Sequence, residues 1–530
     1  MCRFKRLPRS RMNYQWTTNI LLLVFGLCST TNDIWENLNI FEEHVPYFYY
    51  NNPDLKMQCL QDLECPYRKL LQEKKVDKCW GYETNCSEEE IIANINCPHD
   101  CKGWTTDKHA QKELFWTAGD FGYVKQRKKE LKSFCIPQQK GDSSLECSQF
   151  LRYCRAEHIY LDFRKANLTS GYNRYREDVF QKGEIGGHCN LHLQSLKAEA
   201  EHKSPLQSWF AELENYSSLK FRPTSESYCD VTIDKPTFFV KLDVGINLYH
   251  HFCDFINLYI TQHMNNSFST DVYIIMWDTS ALNYGDIFKL TWKAFSKHSI
   301  IPLTQFDGKR LCVKDAVFSF LPRMRYGLYY NMPLVPGCTG SRLVRAFSQH
   351  VLHRLNVTQL GPLPEKIRVT LLSRSTKYRR ILNENELISA LKTITEFEVR
   401  VVDFDASSLQ VSLNSDIFIG MHGAGLTHTL FLPDWAVLFE LYNCEDEYCF
   451  KDLTNLRGVK YITWQDKSKL IQEDEGHHPT LGAHAKFTNY SFDTKEFIRL
   501  MLQAADYILG HPEFWNGYAR KYQSKAKTEL

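Results

Sequence analysis

The chain has 530 residues, of which 43% are hydrophobic, 24% charged and 14% aromatic, a composition that specifies a folded protein of several domains and excludes disordered, collagen-like and multi-spanning chains. Sixty-four Lys and Arg against 62 Asp and Glu leave a formal charge of +2, so there is no global positive field of the kind that holds nucleic acid or an anionic membrane. Eighteen cysteines are too many for a typical reduced cytosolic enzyme and point to an oxidising compartment.

At the amino terminus a basic stretch (Arg3, Lys5, Arg6, Arg9, Arg11), an apolar run over 20–28 and small polar residues read as a signal peptide over 1–30. The run is shorter than the ~18–20 residues of a membrane span, so no stable anchor is expected. Without Cys2 and Cys28, 16 of the 18 cysteines remain, an even number compatible with full pairing. Ten of them, at 59, 65, 79, 86, 97, 101, 135, 147, 154 and 189, predict a disulfide-rich N-terminal region over 31–229. Cys97-x3-Cys101 lacks a second pair at zinc-finger spacing and reads as disulfide chemistry. Sequons at Asn85, Asn167, Asn215, Asn265, Asn356 and Asn489 are N-glycan acceptors if the chain enters a secretory lumen.

From 230 the pattern changes. Apolar runs at 237–242, 272–277 and 316–321 around a helix over 247–263, then a helix over 341–355, predict a parallel α/β unit over 230–358. Gln359-Leu-Gly-Pro-Leu-Pro364 reads as a linker. Strands at 367–372, 398–402, 416–420 and 436–442 with helices over 384–393 (Asn383 as cap) and 426–432 predict a second, Rossmann-like unit over 365–510. A tail over 511–530 ends in Lys527-Thr528-Glu529-Leu530, which reads as a variant endoplasmic reticulum retrieval signal. The ends together predict a lumenal protein met by a retrieval receptor.

Asp416-Ile-Phe-Ile-Gly-Met-His-Gly-Ala-Gly-Leu-Thr-His428 runs an apolar strand into glycines and then a helix. Amides around Gly423, Ala424, Gly425, Leu426 and Thr427, beside His422, suit a phosphate; a purely structural strand-to-helix turn is the other reading. Arg374 directly follows a neighbouring strand and can meet diphosphate oxygens, while Arg379 and Arg380 fit a solvated basic loop better. Glu440 reaches the same edge, where a carboxylate can hold ribose hydroxyls.

Asn247, His250 and Asp254 lie at i, i+3 and i+7 on one helical face. A His–Asp pair there can deprotonate a hydroxyl; a helix cap plus a buried histidine is the bland alternative. Asp403-Phe-Asp405 matches an Asp-x-Asp metal pattern for manganese but also an ordinary acidic turn, so metal dependence is open. Cys444-x4-Cys449 reads as a disulfide loop.

These motifs resemble the family 61 glycosyltransferases. The residues that carry the resemblance are Gly183-Glu-Ile-Gly-Gly-His-Cys189, Ser204-Pro-Leu-Gln-Ser-Trp-Phe-Ala-Glu-Leu213, Tyr249-His-His-Phe-Cys-Asp-Phe-Ile-Asn257 and Gly420-Met-His-Gly-Ala-Gly-Leu-Thr-His428, spread over nearly the whole mature chain. Asn247-x2-His250-x-Phe252-x-Asp254 and the His-Gly-Ala-Gly-Leu run are similar to family signatures.

The resemblance implies a GT-B-like α/β fold of two Rossmann-like units facing a cleft, with the donor on the second and the acceptor at the first. It further implies transfer of one N-acetylglucosamine from UDP-N-acetylglucosamine, with inversion, to Ser or Thr of folded EGF-like domains, Notch-type receptors being the expected clients. Two alternatives stand beside it. One is the same fold acting on another acceptor such as O-mannose glycans. The other is a non-catalytic lumenal lectin or quality-control binder, kept open because Lys297-His298-Ser299 stands where the resemblance leads one to expect Asp-Tyr-Asp.

Overall fold

The computed structural model describes residues 31–519 apart from 74–79, 81–85, 98–105, 201–203, 225, 282–287, 331, 333–336, 364, 404–408, 479 and 481. The signal peptide, the retrieval tail, Asn85 and Asp405 lie outside the described residues.

The apolar runs form two sheets. In the first, β1 (Cys154–Asp162), β2 (Thr237–Val240), β3 (Tyr273–Met276), β4 (Ile301–Pro302) and β5 (Arg310–Phe318) are ordered β4-β3-β2-β5-β1 within eleven strands. β2, β3 and β4 are parallel, and β2 is parallel to β5. β5 pairs antiparallel with β1 over eight residue pairs, Arg310↔Asp162 to Phe318↔Cys154. Strands from the cysteine-rich stretch before 229 therefore share one mixed sheet with those that follow it. β5 begins well before the run at 316–321, because Lys314 and Asp315 interrupt its apolar pattern while the strand keeps its register on β1 across them. α1 (Leu248–Met264) covers this sheet, and α2 (Arg342–Arg354) is capped by Ser341 Oγ, which accepts from the Val344 amide at 3.2 Å.

The second sheet is wholly parallel. β6 (Ile367–Ser373), β7 (Phe397–Asp403), β8 (Ile417–Gly420), β9 (Val437–Glu440) and β10 (Lys460–Thr463) are ordered β7-β6-β8-β9-β10. Both faces are covered, which is why the central strands read as unbroken apolar runs. α3 (Glu384–Lys392) and α5 (Thr494–Leu509) close one face through Leu387, Leu391, Phe497 and Leu500. The other face carries α4 (Cys449–Arg457) and a 3-10 helix, Ala424–Phe431, where an α-helix over 426–432 was expected. At the amino ends of β6 and β8, Arg368 grips buried Asp416 at 2.7 and 3.0 Å, and Trp435 donates to the same carboxylate at 2.8 Å.

The two sheets share a core. Leu372, Phe418, Leu426, Leu430, Phe431 and Leu438 belong to the same buried cluster as Phe252, Phe255 and Phe347. Cys97–Cys338 and Cys229–Cys312 reach beyond the cysteine-rich stretch, while Cys59–Cys65, Cys135–Cys189 and Cys147–Cys154 lie within it. Full pairing does not hold, because Cys253, Cys444 and Cys449 are free thiols. The disulfide loop expected at 444–449 is therefore not formed: Cys444 is buried and Cys449 opens α4. Among the described residues, no helix is long and apolar enough to cross a membrane.

Candidate active site

In the order β7-β6-β8-β9-β10, chain order reverses between β6 and β8, and a ligand crevice opens outside the carboxyl ends of those two neighbours. Arg374 enters it from β6 and the glycine turn from β8. Arg374 Nη1 and Arg379 Nη1 both donate to the His422 carbonyl, at 3.4 and 2.9 Å. Arg379, read as the more solvated residue, thus joins Arg374, held there by a left-handed backbone at φ 59°, and its buried Nε has no hydrogen-bond partner.

Burial, aided by Arg379, lowers Arg374 to about 10, and burial lowers Arg379 as well. Two partly desolvated guanidiniums on one carbonyl oxygen form a cradle that an anion would relieve. Asp403, ending β7 opposite Ser373, is the carboxylate whose field reaches Arg374.

Gly423 is needed at the turn. Its φ is 156°, and a Cβ there would lie 2.4 Å from Arg374 Nη1, so any side chain displaces the arginine. Gly423 and the partly exposed Ala424 and Gly425 form the turn itself, whereas the Leu426 and Thr427 side chains are buried beneath it.

Glu440 does not reach outward to a ribose. Its carboxylate is buried, with Oε1 2.8 Å from His422 Nδ1 and Oε2 accepting from Tyr461 Oη at 2.5 Å, so it fixes the His422 ring. On the far side of that ring, Nε2 lies 3.8 Å from Asp446, which Lys486 pairs at 2.6 Å.

The other half of the site follows β2. Asn247 is a helix cap: its Oδ1 accepts from the Tyr249 amide at 3.0 Å. One turn on, His250 Nδ1 lies 2.7 Å from Asp243 Oδ2, to which Arg323 Nε donates at 2.9 Å. Hydrogen bonds from His250 and Arg323 outweigh burial and hold Asp243 below the usual carboxylate range.

Asp254 is not the partner of His250 that the i, i+3, i+7 spacing suggested. It is buried beneath the pair, with Oδ2 accepting from the Asp243 amide at 3.2 Å and lying 3.7 Å from His251 Nδ1. Burial raises Asp254 to about 6. A histidine oriented through Nδ1 by a carboxylate leaves Nε2 to take a proton.

Phe450 joins the halves: its ring packs on Tyr249 at 5.7 Å and on His422 at 5.2 Å. α1 also packs on the 3-10 helix, Phe252 meeting Phe431 at 5.2 Å. Sequence reasoning missed Asp243, Arg323 and Tyr461; only Asp243 carried a signal, an acidic residue just past the carboxyl end of a buried strand.

Among the described residues no group of three or more His, Cys, Asp or Glu side chains gathers as a metal site. Of the sequons, Asn167 and Asn356 are exposed and Asn265 half-buried. Asn215 Nδ2 donates to the Phe180 carbonyl at 2.8 Å, and buried Asn489 Nδ2 to Asp474 at 2.7 Å.

A paired-guanidinium turn at a strand-order switch point, set against a carboxylate-oriented histidine, is the site of a group transferase that handles an anionic donor. Comparison with known proteins makes the class specific: residues 248–439, from the start of α1 into β9, match the family described as Glycosyltransferase 61. Three proteins named EGF domain-specific O-linked N-acetylglucosamine transferase are similar along most of their length. The one from Bos taurus is 56% identical over 92% of this chain and 93% of its own, and the one from Gallus gallus 56% identical over 90% and 91%. That from Drosophila melanogaster is 46% identical over 85% and 88%. The chain belongs to the family 61 glycosyltransferases.

Proposed function

We propose that this chain transfers a single N-acetylglucosamine from UDP-N-acetylglucosamine to Ser or Thr hydroxyls of folded EGF-like domains, such as those of Notch-type receptors, with inversion. The observation that carries the reading is identity of 56% over 92% of the chain to a protein named for that transfer, a span that takes in both halves of the site. The arrangement is GT-B-like, with the donor at the second sheet and the acceptor at the first, and the proposed place of work is the endoplasmic reticulum lumen, kept by the Lys-Thr-Glu-Leu tail and its receptor.

In this mechanism Arg374, Arg379 and the turn at Gly423 hold the diphosphate and take up the charge that develops on it as the sugar leaves. His250 Nε2 accepts the acceptor hydroxyl's proton while Asp243 holds the ring by Nδ1 and stabilises the imidazolium. The oxygen attacks the sugar carbon from the side opposite the diphosphate, so one displacement inverts the linkage and no enzyme-bound sugar forms.

The test is to incubate the full chain with labelled UDP-N-acetylglucosamine and either a folded EGF-like domain or an O-mannosyl peptide, with and without chelator. Label on the folded domain supports the reading. Label on the mannosyl peptide alone moves the activity to another acceptor, and binding without transfer makes the chain a lumenal binder. The chelator arm reports metal dependence.

A further inference from the structure

A second concavity opens on the acceptor side. It measures about 520 Å³ and is lined by Lys289, Lys293, Lys297 and His298 over a floor that includes Met276 and Pro302. The three lysines recur every four residues, and among the described residues no carboxylate lines the pocket. Lys297 and His298 lean on Asp271, at 3.4 and 2.7 Å, a residue that also pairs Lys235 at 2.6 Å. Although burial opposes it, hydrogen bonds from Lys235 and His298 hold Asp271 down at about 2, so this one carboxylate is already shared among two lysines and a histidine. Lys289 and Lys293 are exposed and pair with no acid among the described residues. In a chain whose formal charge is +2, this is a local concentration of positive charge.

Its position gives it meaning. Met276 and Pro302 are the carboxyl-terminal residues of β3 and β4, which run parallel to β2. Asp243 and His250 follow the carboxyl end of β2, so pocket and base open at the same edge of one sheet. Neighbouring strands lie about 4.8 Å apart, which puts β4 roughly 10 Å from β2. A folded domain of even ~40 residues is roughly 20 Å across, so one that presents a hydroxyl to His250 has a flank over the lysines. The pocket wall also touches the site's support, since Trp292 packs at 5.6 Å on His251, which faces Asp254.

We propose that this pocket is an acceptor subsite for acidic side chains on the flank of the folded domain whose hydroxyl meets His250; the inference rests on the acceptor reading above. It selects acidic acceptors by charge complementarity at the rim, which acts on encounter and KM and leaves the chemical step alone.

The test uses the full chain and a Lys289→Glu/Lys293→Glu variant. Acceptors are one folded EGF-like domain with acidic surface residues and the same domain with those residues changed to amides. The expected result is a KM raised about tenfold for the acidic domain, little change for the amide domain, and unchanged kcat and UDP release to water. Lys289→Ala/Lys293→Ala, with thermal melting as the fold check, moves KM the same way by less. An unaltered KM for the acidic domain in a folded variant overturns the proposal. So does loss of binding to a sulfated oligosaccharide with acceptor KM intact, which makes the pocket a site for free polyanions. Failure of the underlying reading looks different, because wild-type protein then transfers nothing.

Discussion

At the scale of single residues, the proposed mechanism places the chemistry on His250, and its partner decides how. The sequence put Asn247, His250 and Asp254 on one helical face, which is correct geometry for a helix, but the carboxylate that meets the ring comes from the preceding loop. Side-chain spacing along a helix cannot reveal a partner supplied by a strand end. Asp243→Asn is therefore expected to lower kcat by about 100-fold with UDP affinity retained, because an amide no longer holds the reactive tautomer; a kcat near wild type argues that Asp243 is merely structural. Asp254 acts through stability. Burial raises it from the ordinary 3.8 to about 6, so its contribution is fully present below about pH 4 and lost as pH rises through 6. Asp254→Asn should accordingly melt higher than wild type near pH 7.5, with the gap closing near pH 4.5; a gap that is constant with pH speaks against the burial of this acid. On the donor side, Arg374→Ala should weaken UDP binding about 10- to 100-fold, as loss of a charged hydrogen-bond donor does, measurable by titration calorimetry.

Strands and turns set where those residues stand. Four of the second sheet's five strands were legible to within two residues, because strands buried on both faces, such as β6, β8 and β9, are unbroken apolar runs bounded by polar turns, whereas the short, partly exposed β10 was not anticipated. The sheet's strand order was not legible, and that order is what makes Arg374 and Gly423 neighbours. Gly423→Ala should lose UDP affinity to a similar degree as Arg374→Ala and also lower Tm, since a Cβ meets Arg374 and the φ of 156° strains any side chain; retained affinity would show that the arginine can move aside. The block 204–213, conspicuous in the sequence, is largely buried and holds the fold through one ion pair. Glu212 and Lys241 form a fully buried pair at 2.7 Å, with Lys241 also donating to the Pro205 carbonyl and lying 4.4 Å over Trp209. Burial raises Glu212 and lowers Lys241, so each depends on the other's charge. Lys241→Met strands a buried carboxylate and is expected to cost about 3–5 kcal/mol, read from denaturant melts, whereas exposed Lys293→Met should cost little.

For the molecule as a whole, the shared core decides behaviour. Apolar patterning described two units around a linker, but it could not show that Phe252 and Phe431, from helices covering different sheets, pack with ring centres 5.2 Å apart or that Cys97 bonds Cys338 across 241 residues. A closed loop of that length removes roughly 5 kcal/mol of unfolded-state entropy in the chain-entropy picture. Calorimetry should then show both sheets unfolding in one transition, with Cys97→Ser lowering its midpoint; two separated transitions would mean that the interface is weaker than its packing suggests. In the proposed mechanism this shared core sets a donor turn on the second sheet against a base on the first. The central claim is that division of labour across the two sheets, and His250→Ala tests it most directly when kcat for transfer and the Kd of UDP are measured on the same folded protein. The account predicts a kcat lowered by about 10² to 10⁴ with UDP affinity unchanged; a near-normal kcat, or a loss of UDP binding in step with activity, would contradict it.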